Sequence, residues 1–192
     1  MSFWESSIRP PLAHRLGETP HLSPLLRKAE RFSGAGEHLA EWLLKVAILR
    51  GAGHYERPMR PALPPDNPAL NDEEVGVALC LAHLPDDPVF VRAASQLLSS
   101  PAVNPEELVR LARMERVETV LCHIAAACAR VDQNLEPWAT VRRELKPRRQ
   151  LPEGTLSHWT RFAALIGLTR HGMMPPQWIK RDEQPGDHPV HA

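Results

Sequence analysis

Residues 71–108 read NDEEVGVALCLAHLPDDPVFVRAASQLLSSPAVNPEEL and contain three successive signals for the start of a helix. Asn71 precedes three acidic residues, and Asp87 and Asn104 each precede a proline. Short polar side chains accept the free amide hydrogens of a first helical turn, acids favour its positive end, and proline fits its first position. The helices predicted from these signals span 71–84, 87–99 and 104–116.

The chain on either side of this segment carries similar helix signals. Ser23-Pro24 predicts a helix that stops before Gly34, and the apolar spacing after Ala35 predicts a second helix that ends near Arg50. Apolar residues at helical spacing also continue beyond residue 116. Further helices are therefore predicted over 117–131, 136–145 and 155–168, with a basic loop at 146–154.

The composition favours helices along the whole chain. Leu, Ala, Glu and Arg are abundant, whereas Val, Ile and Thr together supply only 23 of the 192 residues. The first group consists of strong helix formers, and the second is the group that strands prefer. We therefore expect an all-α protein, built either as a short α-solenoid-like stack of helical hairpins or as an irregular orthogonal helical bundle.

A weak internal similarity bears on this choice. A shift of 33 residues aligns Glu73-Glu74-Val75 with Glu106-Glu107-Leu108 and Phe90–Ala94 with His123–Ala127. A period in the thirties is the size of one stacked helical hairpin. The period favours the stack, but the few identities leave the bundle open.

Proline content suggests how the chain is divided. Residues 57–68 hold five prolines, which favour an extended backbone. We predict a Pro-rich connector at 57–70 between an N-terminal arm and helical hairpin at 1–56 and a helical body at 71–181. The polar, proline-containing end at 182–192 is expected to be a disordered tail.

Bulk properties indicate a folded soluble protein. The chain is 43% hydrophobic and 24% charged, with 23 basic and 23 acidic side chains. No apolar run reaches the roughly 18 residues of a membrane span, so no membrane partner is expected. The first residues lack the pattern of a secretory signal. Three cysteines are too few for a disulfide framework, and we expect a cytoplasmic location.

The sequence offers no convincing set of catalytic residues. Motifs for phosphate loops, nucleophile elbows and paired zinc ligands do not occur. Cys122, His123 and Cys128 would share one helix, but the two cysteines lie about 120° apart around it, so one ion could not bind both. We expect no metal and no cofactor, and consider an enzyme less favoured than a binding protein without excluding it.

Two groups of basic residues are the candidate contact surfaces. Arg110, Arg113 and Arg116 follow each other at intervals of three on one predicted helix, where Glu107 and Glu115 could pair with them. The second group lies in the predicted helix 136–145 and in the basic loop that follows it. Its members are Arg142, Arg143, Lys146, Arg148 and Arg149. Guanidinium groups recognise carboxylates and phosphates, so either group suits an anionic partner.

These features predict a non-catalytic helical protein that binds another macromolecule, with a protein partner preferred. The alternative is a nucleic-acid-binding accessory factor, because residues 142–181 carry nine bases against two acids. Salt dependence separates the two, since binding to nucleic acid weakens steeply as salt rises.

Overall fold

The computed structural model describes residues 23–35, 38–52, 69–84, 87–130, 133–148, 150 and 156. These residues form seven α-helices and no strand, which confirms the all-α prediction. The helices are α1 (Pro24–Ser33), α2 (Leu39–Leu49), α3 (Asp72–Leu79), α4 (Pro88–Leu98), α5 (Pro105–Glu115), α6 (Glu118–Cys128) and α7 (Trp138–Glu144). Within the same residues, every helix is too short or too polar to cross a bilayer.

Four of the helices begin where the sequence predicts them, and for the predicted reason. In each case a side-chain oxygen accepts a hydrogen bond from a backbone N–H two or three residues further on, over 2.8 to 3.2 Å. These capping residues are Ser23, Asn71, Asp87 and Asn104. At Asn71 the cap is reciprocal, because Glu74 Oε2 accepts the Asn71 N–H at 3.1 Å.

The helix ends differ more from the predictions. α3 stops at Leu79, although helical spacing continues to Leu84. The predicted division between α5 and α6 is present, and it falls at Arg116, whose φ of 59° lies in the left-handed region. The Arg116 N–H still bonds to the Ala112 carbonyl, which closes the last turn of α5. The chain thereby changes direction between α5 and α6.

A single hydrophobic core contains residues from all seven helices. α3 lies near its centre, where it contacts α1, α2, α4 and α5, while α7 packs on α5 and α6. α4 is buried at nine of its eleven positions. Because α3 and α4 are buried at most of their positions, side chains at their contact have little room to move.

Gly76 permits a close approach between α3 and α4. A Cβ at this position would lie 2.4 Å from Leu98 Cγ and 2.5 Å from Leu98 Cδ2. Leu98 is fully buried and has little room to move. The glycine is therefore required by packing, not by backbone conformation.

Buried polar contacts connect the first two helices to the rest of the structure. The Leu25 N–H, in the first turn of α1, donates to Glu115 Oε1 at 2.8 Å, and Glu115 is 1% exposed. Just after the C-terminal end of α2, the Gly51 carbonyl accepts a hydrogen bond from Gln96 Nε2 of α4 at 2.7 Å. These bonds span 90 and 45 residues, so they position α1 and α2 on the helices that follow.

A second buried network secures α7. The Trp138 indole N–H donates to Ser99 Oγ at 2.9 Å, and this hydroxyl donates to the Ser95 carbonyl at 2.6 Å. All three residues are buried. The network attaches the start of α7 to the last turn of α4, and thereby helps to place the basic end of α7.

Several predictions lie outside the described residues. They concern the arm at 1–22, residues 53–68 with most of the Pro-rich connector, nearly all of the predicted helix at 155–168, and the tail at 182–192. The proposed division into four segments stays a prediction. The choice between a hairpin stack and an irregular bundle also stays open.

Candidate macromolecule-binding face

The exposed side of α5 combines charge with one apolar side chain. Arg110, Arg113 and Met114 are all exposed, and Met114 is 41% exposed. Residues three and four apart lie close together on a helix surface, so Arg110 is a neighbour of both other side chains. This arrangement presents a thioether beside the guanidinium group of Arg110.

Arg110 is held by a carboxylate of its own helix. Its Nε and Nη2 donate to the two oxygens of Glu107 at 2.7 and 2.6 Å. This bidentate pair lowers the pKa of Glu107 and raises that of Arg110, because each charge stabilises the other. Both side chains are partly in solvent, so the pair fixes orientation more than it stabilises the fold.

Arg113 connects α5 to the end of α7. Its Nη2 donates to the Glu144 carbonyl at 2.8 Å, and the Glu144 carboxylate lies 4.0 Å away. Arg143 reaches the same carboxylate, with Nε 3.2 Å from Glu144 Oε1. Glu144 therefore brings together one arginine from each of the two basic groups that the sequence singles out.

The segment after α7 lies against the junction of α5 and α6. The Arg148 N–H donates to Thr119 Oγ1 at 3.2 Å, and its guanidinium donates twice to Glu118 Oε1. Glu118 is only 8% exposed, while the Arg148 side chain remains 45% exposed. Lys146, between these anchors and α7, is exposed.

The contacts change the interpretation of Arg116 and Glu115. Arg116 is not on the stripe of α5, because it forms the left-handed turn after the helix, where it is exposed. Glu115 faces inward and caps α1, so the expected pairing of Glu115 with the arginine stripe is wrong. Only Glu107 pairs with a stripe arginine as predicted.

Arg142 points elsewhere. Its Nη1 donates to the Gln133 carbonyl at 3.2 Å, in the segment before α7. Successive residues on a helix project about 100° apart, which separates Arg142 from Arg143. Arg149, the last member of the second group, lies outside the described side chains.

We call the remaining exposed residues the basic face. Its members come from α5, the end of α7 and the two connections beside them. They are Arg110, Arg113, Met114, Arg116, Arg143, Lys146 and Arg148. Met114 and the bridging residue Glu144 were not identified from the sequence, although Met114 lies one helical turn after Arg110 and Glu144 follows two arginines.

The cysteines have the properties of core residues. Burial raises the pKa of the Cys80 thiol to about 12 and also raises the pKa of Cys128. Burial and the nearby Glu118 carboxylate raise the pKa of Cys122 to about 11. Thiols with such pKa values are protonated near neutral pH and are poor nucleophiles. In the ranges that the structure describes, no three His, Cys, Asp or Glu side chains come together as a set of metal ligands.

The fold and the basic face define an all-α protein with a mixed cationic and apolar surface. No protein-family model, curated protein or solved structure matches this chain. The functional argument therefore depends on the surface chemistry.

Proposed function

We propose that this chain is a non-catalytic protein that binds another protein through the basic face. The observation that carries this proposal is that Glu144 joins Arg113 of α5 to Arg143 of α7, on the helix α5 that also exposes Met114. Arginine and methionine are both enriched at protein–protein interfaces, where apolar contact supplies affinity and charge supplies orientation.

The acidic residues on the face favour a protein partner over a nucleic acid. Glu107 holds Arg110 with two hydrogen bonds, and Glu144 lies beside Arg113 and Arg143. A phosphate backbone laid over this surface would pass close to both carboxylates. A protein partner can place its own acids beside the arginines and its neutral groups beside the carboxylates.

Two further features belong to this proposal. The first residues of α3 and α5 are Asp72 and Pro105, which are 33 residues apart, and this spacing supports a repeated helical unit. The described thiols are free, which fits the reducing environment of a cytoplasmic location.

Affinity capture with matched variants tests the proposal. The full chain would be tagged and used to capture partners from its own cells, as wild type and as R110E/M114E. The control variant R27E/R31E reverses two exposed bases on α1 that are not members of the basic face. Circular dichroism and thermal melting would establish that all three proteins fold equally well.

We expect one stoichiometric protein partner to be retained by wild type and by R27E/R31E, and to be lost from R110E/M114E. Equal retention by all three would refute the basic face as the contact surface. Recovery of RNA or DNA that salt releases steeply, with no protein partner, would favour the nucleic-acid alternative instead.

A further inference from the structure

We propose that the basic face binds a short acidic peptide segment of its partner, in which carboxylates flank an apolar side chain. This inference rests on the proposed function and specifies the chemistry of the partner. It follows from the charge that the face leaves uncompensated, from the cationic groups that remain accessible, and from the position of Met114.

The basic face has a surplus of positive charge. Six of its seven members are cationic, whereas three carboxylates lie within ion-pair distance of them in the described part of the chain. These carboxylates are Glu107, Glu118 and Glu144. A surface with twice as many cations as carboxylates attracts an anionic partner.

The surplus is concentrated on particular side chains. Arg116 and Lys146 are exposed and form no ion pair within the described residues. Arg113 donates a hydrogen bond to the Glu144 backbone carbonyl, and the Glu144 carboxylate oxygen Oε2 is 4.0 Å away. A guanidinium has five N–H donors, so Arg113 has several left for a partner carboxylate.

Met114 provides the apolar anchor of the proposed site. It is 41% exposed and lies one helical turn from Arg110, a spacing of about 6 Å along the axis. Alternate residues of an extended peptide are separated by about 7 Å. A peptide that places one apolar residue on Met114 therefore brings an acid two positions away within reach of Arg110, and an acid on its other side towards Arg116 in the turn that ends α5.

This geometry favours separate carboxylates over a continuous phosphate chain. Glu107 and Glu144 interrupt the row of cations, and both remain partly exposed. An acidic peptide can leave neutral residues opposite them. A nucleic-acid strand has a charge at every nucleotide and would be repelled at these two points.

Fluorescence anisotropy with three labelled probes tests the inference on the full chain. The first probe is a twelve-residue peptide with a central leucine, glutamates two positions before and after it, and neutral residues elsewhere. The second replaces every glutamate by glutamine, and the third is a single-stranded oligothymidine of equal net charge. Wild type, R116E/K146E, M114A and the control R27E/R31E would be compared at two salt concentrations.

We expect wild type and R27E/R31E to bind the acidic peptide equally. R116E/K146E should bind it about tenfold more weakly, because two charges at the rim become repulsive. M114A should bind it about threefold more weakly, because an apolar contact at the centre is lost. The glutamine peptide should also bind at least about tenfold more weakly than the acidic one.

The opposite results overturn the inference. They are equal binding of the acidic and glutamine peptides, unchanged binding by R116E/K146E, or binding of oligothymidine as tight as that of the acidic peptide. If the chain does not bind the acidic peptide, but R110E/M114E still loses a protein partner in the capture experiment, only the proposed chemistry of the partner is wrong. If the acidic peptide does not bind and all three proteins retain the same partner in the capture experiment, the proposed function is refuted as well.

Discussion

Replacing Gly76 by alanine should destabilise the protein, although alanine is the better helix former. On helix propensity alone, the change would stabilise α3 by about 1 kcal/mol. The new Cβ would, however, lie 2.4 to 2.8 Å from three side-chain carbons of Leu98. Overpacking of a buried site costs about 1–3 kcal/mol, because close-packed neighbours cannot move far.

The net effect of Gly76→Ala is expected to be a loss of about 1–2 kcal/mol in the free energy of unfolding. For a protein of this size, such a loss lowers the melting temperature by roughly 2–8 °C. Urea denaturation followed by circular dichroism would give the free energy, and a thermal melt would give the temperature. Both measurements need only the purified chain.

A double-mutant cycle with Leu98→Ala identifies the cause. Leu98→Ala alone should cost about 2–5 kcal/mol, because it leaves a cavity against Gly76. In that background the added methyl group of G76A has room, so it should stabilise by about 1 kcal/mol. The effect of one substitution would thus change sign. If G76A stabilises wild type, or destabilises both backgrounds equally, the proposed contact does not limit the packing of α3 on α4.

Three further measurements address single residues. Arg116→Gly should raise the free energy of unfolding by about 1 kcal/mol, because glycine adopts a φ of 59° without strain; a less stable variant in urea denaturation would contradict this. Glu115→Ala should lower the same free energy by about 1–2 kcal/mol, since the buried Leu25 N–H loses its acceptor; equal stability would refute the cap. Arg110→Gln should raise the lowered pKa of Glu107 towards 4.5 in an NMR titration, and an unchanged pKa would show that the pair does not form in solution. In wild type, the stabilisation from this pair is present above the pKa of unfolded glutamate and is lost as the pH falls through the lowered folded pKa.

The local part of the fold follows from short-range chemistry. The N-terminal caps at Ser23, Asn71, Asp87 and Asn104 depend on residues within three positions, so the sequence identifies them directly. Helix ends are less predictable. The helix predicted to reach Leu84 stops at Leu79, and the predicted boundary at Arg116 has a left-handed conformation that is more common at glycine.

The candidate site was predictable in its residue types but not in its arrangement. The sequence identifies both groups of arginines. It does not show that Glu144 joins Arg113 to Arg143, because that contact depends on how α7 packs against α5. It also assigns Glu115 to the surface, since a carboxylate is usually exposed unless a distant partner compensates for its burial.

The sequence by itself determined that the described chain is helical and where most of its helices begin. Tertiary structure decided which polar side chains are buried and which of the basic residues share a surface. The physical reason is the range of the interactions. A helix cap is completed within one turn, whereas the bond between Leu25 and Glu115 joins residues 90 positions apart and exists only when α1 has packed against the end of α5.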